Sequence, residues 1–175
     1  FIEEFTDKHD VEMLIKINPS YGIPDLNKIV NDMAKGRTNL PKINFDISAY
    51  DYKDMVNLYN KAHVFVAPSR AESFHLGCIE AMACGLPVVT TNFGGQTDFC
   101  DNLNGWIIEG ELKEVEHELQ YEGIKWLTPN IEQLRTAMRD AFSNPEQIIQ
   151  KGVSALRTAR EYTWDETAKK VKELI

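Results

Sequence analysis

The stretch Val64-Phe-Val-Ala67-Pro-Ser-Arg70-Ala-Glu72-Ser-Phe-His75-Leu-Gly-Cys-Ile-Glu80-Ala-Met-Ala-Cys-Gly85-Leu-Pro-Val88-Val-Thr90 decides the fold. Its two ends, Val64 to Ala67 and Val88 to Thr90, are short apolar runs and read as buried strands. Between them a loop carrying Glu72 leads into a helix that starts at about residue 76 and carries Glu80. Strand, loop, helix, strand is half of a nucleotide-binding fold. The first turn of such a helix, at Leu76 and Gly77, leaves backbone amides without intrahelical partners and carries a partial positive charge, a setting that suits a diphosphate. Glu80 falls roughly one turn inside the helix at about 1.5 Å rise per residue, while Glu72 stays on the loop. Carboxylates accept hydrogen bonds from paired hydroxyls and repel phosphate. Glu80 is therefore read as holding a ribose and Glu72 as facing a sugar beyond the phosphates. A plainer reading stands beside this one: two Glu near the front of a helix oppose its dipole favourably and need no ligand.

Working outward toward the N-terminus, Asp51 to Ala62 has helical spacing, with Met55, Leu58 and Tyr59 on one face. Lys42 to Ile47 and Val11 to Ile17 read as strands, with Asn18 to Gly22 as a turn and Asp25 to about Ala34 as a helix preceded by Pro24. The alternation of strand and helix predicts a parallel sheet with right-handed crossovers. Ligands on such sheets bind beyond the carboxyl ends of the strands, where Ile47-Ser48, Pro68-Ser69-Arg70 and Asn92-Phe-Gly94-Gly95 all fall. Arg70 is the nearest cation to the acid pair and either touches phosphate or is a surface residue beside a Glu. Gly94-Gly95 is either part of the ligand loop or a tight turn that needs glycine.

Toward the C-terminus, Gly110 to Glu122 is dense in acids (Glu111, Glu114, Glu116, Glu118, Glu122) and reads as an inserted surface excursion. Ile124 to Leu127 is a short extended piece leading to a helix that starts at Thr128-Pro129-Asn130 and ends near Phe142, with Leu134, Met138 and Ala141 as its stripe. Asn144-Pro145-Glu146 breaks the chain before a helix to about Tyr162. A last helix places Trp164, Ala168, Val171 and Ile175 on one face. No repeat and no Gly/Ser-rich linker interrupts the chain, which reads as one domain.

The composition, 43% hydrophobic and 26% charged over 175 residues, is that of a globular domain with a core of its own. A net charge of −8 and a pI near 5.0 argue against nucleic acid or an anionic membrane as partner. No run approaches the roughly 18 apolar residues of a membrane span. Cys78, Cys84 and Cys100 are odd in number and lack a Cys-x-x-Cys spacing. They predict free thiols in a reducing, cytoplasmic compartment, with the first two as buried small hydrophobes.

Glu72-Ser-Phe, Ile79-Glu80-Ala-Met-Ala-Cys-Gly-Leu-Pro-Val-Val89 and Gly94-Gly95 together resemble the retaining glycosyltransferases of group 1 (family four). In these a Glu-x7-Glu pair opens an Ala-Met-Ala-x-Gly-x-Pro helix and turn in the C-terminal lobe of a GT-B fold. Pro68-Ser69, Asn104-Gly105-Trp106 and Tyr162-Thr-Trp164-Asp165 fall where that family has similar features, so the resemblance runs the length of the chain. It implies an α/β, Rossmann-like doubly wound parallel sheet with C-terminal helices. The reaction it implies moves a sugar from a nucleotide diphosphate to an acceptor hydroxyl, glycan or other, with retained anomeric configuration and no obligatory metal or cofactor beyond the donor. Glu72 is then the candidate catalytic residue, through hydrogen bonds to the donor sugar and not as a glycosidase-type nucleophile. The donor site would take in Glu80, His75, Leu76, Gly77, Arg70, Ser48, Gly94 and Gly95, with backbone near Ile47 to Ala49 at the base and Gln96 and Asp98 as polar neighbours of the sugar. Asp98 reads equally as the cap of a short helix. The family often has Gly where this chain has His75, a side chain that either caps the phosphate or crowds it; the plainer reading is a local hydrogen-bonding or solvent-facing residue rather than a catalytic base.

Phe1-Ile-Glu-Glu-Phe5 is no translation start and reads as the back half of an amphipathic helix. Related domains begin with a strand and a phosphate-clamping Gly-Arg and Lys ahead of that helix. The expectation is an incomplete nucleotide-sugar-binding domain over residues 1–175, lacking the first strand and the acceptor lobe. Two alternatives stand beside this: a nucleotide-sugar epimerase or phosphorylase of the same two-lobed build, of which the Glu-x7-Glu block is not the usual mark and for which no Lys is set for a pyridoxal Schiff base, and a non-catalytic nucleotide-sugar-binding module.

Overall fold

Four helices start where a short polar side chain accepts a hydrogen bond from the amide three residues on: Asp25 from Lys28 at 3.0 Å, Asp51 from Asp54 at 2.8 Å, Asn130 from Gln133 at 3.1 Å and Thr163 from Glu166 at 3.2 Å. Asp51 and Asp54 reciprocate, as in a capping box. Asp25 is thus the cap of its helix and not its first residue. The computed structural model describes residues 1–115 and 123–174 and divides the chain into two compact units, Phe1–Met55 and Val56–Ile175.

The first unit holds strand β1 (Glu12–Lys16), a single 3-10 turn at Pro19–Tyr21, helix α1 (Leu26–Ala34) and strand β2 (Lys42–Asp46). The unit boundary falls inside helix α2 (Tyr52–Tyr59). β1 and β2 pair in parallel with Glu12 opposite Lys42, and the two side chains form an ion pair. The expected helix at residues 1–5 is one turn only, closed by Phe5 N donating to the Phe1 carbonyl at 2.9 Å. The next helical bond cannot form, because the Ile2 carbonyl accepts Arg37 Nη1 at 2.7 Å and the Thr6 amide donates to His9 Nδ1 at 3.1 Å.

In the second unit, strands β3 (Phe65–Ala67), β4 (Val88–Thr91) and β5 (Gly105–Ile108) form a parallel ladder with β4 in the middle. Helix α3 (Leu76–Ala83) connects β3 to β4 as the sequence predicts, and β5 is a strand that the reading of Asn104-Gly105-Trp106 did not assign. Every residue of β4 is buried, and alternate residues go to opposite faces. Val88 packs in a cluster with Cys78, Ile79 and Met82 of α3, Phe99, Cys100, and Ala155 and Ala159 of helix α5 (Pro145–Ala159). Val89 packs on the other face with Trp106, Ile108, and Ala137 and Ala141 of helix α4 (Ile131–Ser143). Helices on both faces of a parallel ladder give the doubly wound α/β build. Cys84 is half-buried, so the buried thiols are Cys78 and Cys100.

The acid-rich segment is partly ordered as an antiparallel hairpin. Strand β6 (Gly110–Glu114) pairs with strand β7 (Lys125–Pro129), so the extended piece expected at Ile124 to Leu127 is one arm of the excursion itself. Glu116, Glu118 and Glu122 lie outside the described residues. α5 stops at Ala159 rather than near Tyr162, because the Glu161 and Tyr162 amides turn to the Thr158 and Ala159 carbonyls three residues back, at 3.0 and 3.1 Å; the Tyr162 hydroxyl donates to the Asp98 carbonyl at 2.6 Å. The last helix, α6 (Trp164–Glu173), buries none of its residues, and Trp164 is 83% exposed. Its expected apolar stripe at Trp164, Ala168 and Val171 therefore faces solvent, and Ile175 lies outside the described residues. Among the described residues no helix is long and apolar enough to cross a membrane.

Candidate functional site

The loop from Arg70 to His75 leaves the end of β3 and is held from three sides. Thr91 Oγ1 donates to the Ser69 carbonyl at 2.6 Å, the Leu127 amide donates to the Arg70 carbonyl at 2.9 Å, and the Gly95 amide donates to the Glu72 carbonyl at 3.1 Å. Gly94 and Gly95 owe their identity to this contact. A Cβ on Gly95 would lie 2.1 Å from the Ser73 carbonyl oxygen, and one on Gly94 2.5 Å from the Glu72 carbonyl oxygen. The glycine pair lets two loops pass backbone to backbone, so its place in the site is to support the Glu72 loop. Gln96, expected near the sugar, is buried and donates through Nε2 to the Phe93 and Thr91 carbonyls at 2.6 and 3.2 Å. Asp98 closes a 3-10 turn at Gly95–Asp98 and offers its carbonyl to Tyr162.

His75 ends the loop in the left-handed region, at φ 71° and ψ 62°, and caps α3 with its backbone carbonyl, which accepts from the Cys78 amide at 3.0 Å. Its side chain makes no capping bond. The imidazole is buried instead, edge-on to Phe65, with Nε2 3.3 Å from Ser69 Oγ and 4.0 Å from Glu72 Oε1. Burial pulls its pKa down, but the Cys78 thiol and the Glu72 carboxylate more than offset that, so the imidazole holds its proton above the usual histidine range. The ring lies under the loop, against Ser69 and Glu72, which fits the reading of His75 as a local hydrogen-bonding residue.

Glu72, Ser73, Phe74, His75, Leu76, Gly77 and Trp164 line one cavity of about 600 Å³. The amino end of α3 therefore opens onto a cavity that Glu72 also faces. Among the described residues the Leu76 and Gly77 amides donate to no protein acceptor. Glu80 is not on this wall. It lies one turn further along α3, where Tyr59 Oη donates to its Oε2 at 3.1 Å. Arg70 stacks its guanidinium over Trp126 of the hairpin, 5.6 Å from the ring centroid, and ion-pairs with no Glu among the described residues. Ser48 belongs to the first unit, where its amide donates to Asp46 Oδ1 at 2.9 Å and its carbonyl accepts Lys16 Nζ at 2.7 Å.

Two residues at the site escaped the sequence reading. Trp164 was assigned to an apolar stripe, yet it stands at the cavity mouth. Tyr59 was assigned to the packed face of α2, which it is, but its hydroxyl reaches the second acid. The sequence signal for Tyr59 was a polar tip on a residue placed in an apolar pattern, and that for Trp164 its place in Tyr162-Thr-Trp164-Asp165, which carried no role at the site.

A family model described as "Glycosyl transferases group 1" matches residues 22–144. The chain belongs to this family. It is 30% identical over 123 residues to the D-inositol 3-phosphate glycosyltransferase of Corynebacterium urealyticum, a match covering 70% of this chain and 25% of that protein. Its α/β fold superposes on GT-B glycosyltransferase structures. The glycosyltransferase of Rickettsia africae has a TM-score of 0.69 at 20% identity, over 94% of this chain and 39% of that one. Anabaena Alr3699/HepE, solved in complex with UDP-glucose, has a TM-score of 0.62 at 18% identity, over 85% of this chain and 35% of that one. The group 1 chain spans about a quarter of the length of the curated relatives it matches. Among the described residues no group of three or more His, Cys, Asp or Glu is placed to hold a metal ion.

Proposed function

We propose that this chain supplies the donor site of a retaining glycosyltransferase that moves a sugar from a nucleotide diphosphate to an acceptor hydroxyl, the acceptor being held by a lobe outside residues 1–175. The observation that carries the reading is the cavity in which the open amino end of α3 and the Glu72 loop meet. The diphosphate docks on the Leu76 and Gly77 amides, where the helix dipole and unpaired donors stabilise the charge that grows as the glycosidic bond breaks. Glu72 accepts hydrogen bonds from the hydroxyls of the sugar being transferred, with its carboxylate oriented from below by His75 and Ser69. Glu80, one turn in, takes the ribose hydroxyls of the nucleotide. The UDP-glucose held by the Anabaena structure is a donor of this class. The three free cysteines among the described residues fit a reducing, cytoplasmic setting.

The test uses the full-length protein, a panel of nucleotide-diphosphate sugars and the thermal shift that a native-state ligand produces. Glu72→Gln should lower turnover by about 100-fold or more while leaving nucleotide affinity within about twofold, since it acts on the sugar as charge develops. Glu80→Ala should weaken nucleotide affinity itself by about tenfold. Equal losses of nucleotide affinity in both variants would end the assignment of separate roles. The anomeric configuration of the glycoside product, read by NMR and compared with that of the donor, decides between retention and inversion.

A further inference from the structure

The sequence reading leaves Tyr59 in the core and the donor reading leaves Glu80 as a lone acceptor, but the structure joins them. Tyr59 ends α2, its ring is buried edge-on against Phe65 with the centroids 5.9 Å apart, and Phe65 in turn stands edge-on to His75. Three rings thus form a floor beneath the first turn of α3. The Tyr59 hydroxyl comes up through it between Gly77 and Glu80: a Cβ built on Gly77 would lie 3.9 Å from that oxygen, and the hydroxyl donates to Glu80 Oε2 at 3.1 Å. A phenol fixed by packing on a neighbouring helix is a rigid donor. It occupies one oxygen of a carboxylate that would otherwise rotate in solvent.

We infer that Tyr59 is a positioning residue for the nucleotide: it fixes the Glu80 carboxylate so that Oε1 and the outward lone pair of Oε2 face the ribose hydroxyl pair. The inference rests on the proposed role of Glu80. Recognition of a vicinal diol by one carboxylate requires both oxygens to lie in the plane of the two hydroxyls. A carboxylate held by a packed phenol loses less rotamer freedom on binding than a free one, which strengthens the ribose contact without touching the ligand. The same bond holds one Glu80 oxygen against Tyr59 at the end of α2. Buried against Phe65 and beside Glu80, the Tyr59 phenol is pushed well above its ordinary pKa and stays a donor throughout the physiological range.

The experiment measures, on the full-length protein, affinity for the best-binding member of a panel of ADP, GDP and UDP, and for the 2′,3′-dideoxy counterpart of that nucleotide. The ratio of the two affinities reports the ribose contact alone. Tyr59→Phe keeps the ring and its packing and removes only the donor. It should cut affinity for the ribonucleotide by about three- to tenfold and leave the dideoxy nucleotide unchanged, so that the ratio falls. Combined with Glu80→Gln it should cause no further fall, because the two act through one contact. Tyr59→His, which retains a donor on a ring, should hold a ratio above that of Tyr59→Phe. It also keeps the test open should the phenylalanine variant fold poorly. If Tyr59→Phe weakens both nucleotides equally, or neither, while Glu80→Gln collapses the ratio, Tyr59 only packs and the inference fails alone. If Glu80→Gln also leaves the ratio intact, or no nucleotide binds, the ribose role of Glu80 fails and takes the inference with it.

Discussion

At the scale of single residues, the site depends on three positions where the backbone does something an ordinary residue resists. His75 takes a left-handed conformation that glycine adopts freely, a cost of about 1 kcal/mol that a packed, hydrogen-bonded side chain offsets. That explains how this chain departs from the family's frequent glycine without closing the end of α3: the ring folds under the loop. Gly94 and Gly95 are the converse, since no side chain fits between them and the Glu72 loop. Gly95→Ala would push a methyl to 2.1 Å from the Ser73 carbonyl oxygen, so one of the two loops must move. We expect a loss of about 3 kcal/mol in a denaturant melt of the full-length protein. Turnover should fall by about 100-fold, since a shift of about 1 Å in a positioned group has that consequence. Unchanged turnover in a destabilised Gly95→Ala protein would separate the glycine pair from the acid loop and show that the contact is only structural.

At the scale of elements, α3 is fixed by what lies on its far side. α5 crosses it where Gly152 meets the Gly85 carbonyl, and a Cβ on Gly152 would come within 2.4 Å of that oxygen. The Gly85-Leu-Pro turn that ends α3 is therefore seated against the backbone of α5. Gly152→Ala raises intrinsic helix propensity by about 1 kcal/mol but forces the helices apart. A net destabilisation of about 1–3 kcal/mol is expected from urea unfolding, and a stabilised variant would show that the two helices are free to slide. A second brace runs through Phe74, Phe99 and Tyr162, whose ring centroids follow one another at 5.3 and 5.4 Å and tie the Glu72 loop to the start of α6. This brace was not legible in the sequence. β3, α3 and β4 were, because two short apolar runs on either side of Glu80-Ala-Met-Ala-Cys-Gly-Leu-Pro87 have few other solutions, and the acid pair came with them. The hairpin was hidden because every residue of β6 is exposed, so no alternation of apolar and polar residues marks it. Trp164 was misplaced for the opposite reason: helical spacing shows that a face exists but not what covers it.

At the scale of the whole molecule, the parallel strands pair in two ladders, β1 with β2 and β3 with β4 and β5. A parallel ladder of two strands is marginal in isolation, since parallel sheets depend on burial of both faces and gain little from their own hydrogen bonds. β1 shows the consequence: Leu14 in its middle is 42% exposed, and among the described residues each strand of the pair has one edge without a ladder partner. On α1, which follows β1 in the chain, Met33 and Ile29 are exposed as well. Such a unit has too little buried apolar area to offset the conformational entropy of some 55 ordered residues. The second unit has a central strand buried along its length and two clusters packed on it, so its stability is of a different order. A chain of residues 1–175 expressed alone should therefore not melt as one cooperative monomer. By calorimetry the Val56–Ile175 unit should unfold in a transition of its own, while the residues of the first unit exchange their amides early or associate through open strand edges into larger species on a sizing column. The full-length protein, about three times as long in its curated relatives, should protect β1 and β2 as well as it protects β4. A single sharp transition from a monomer of these 175 residues, with β1 amides as slow to exchange as those of β4, would show that the first unit needs no further chain to complete it, and with that the idea of an incomplete donor domain would be lost.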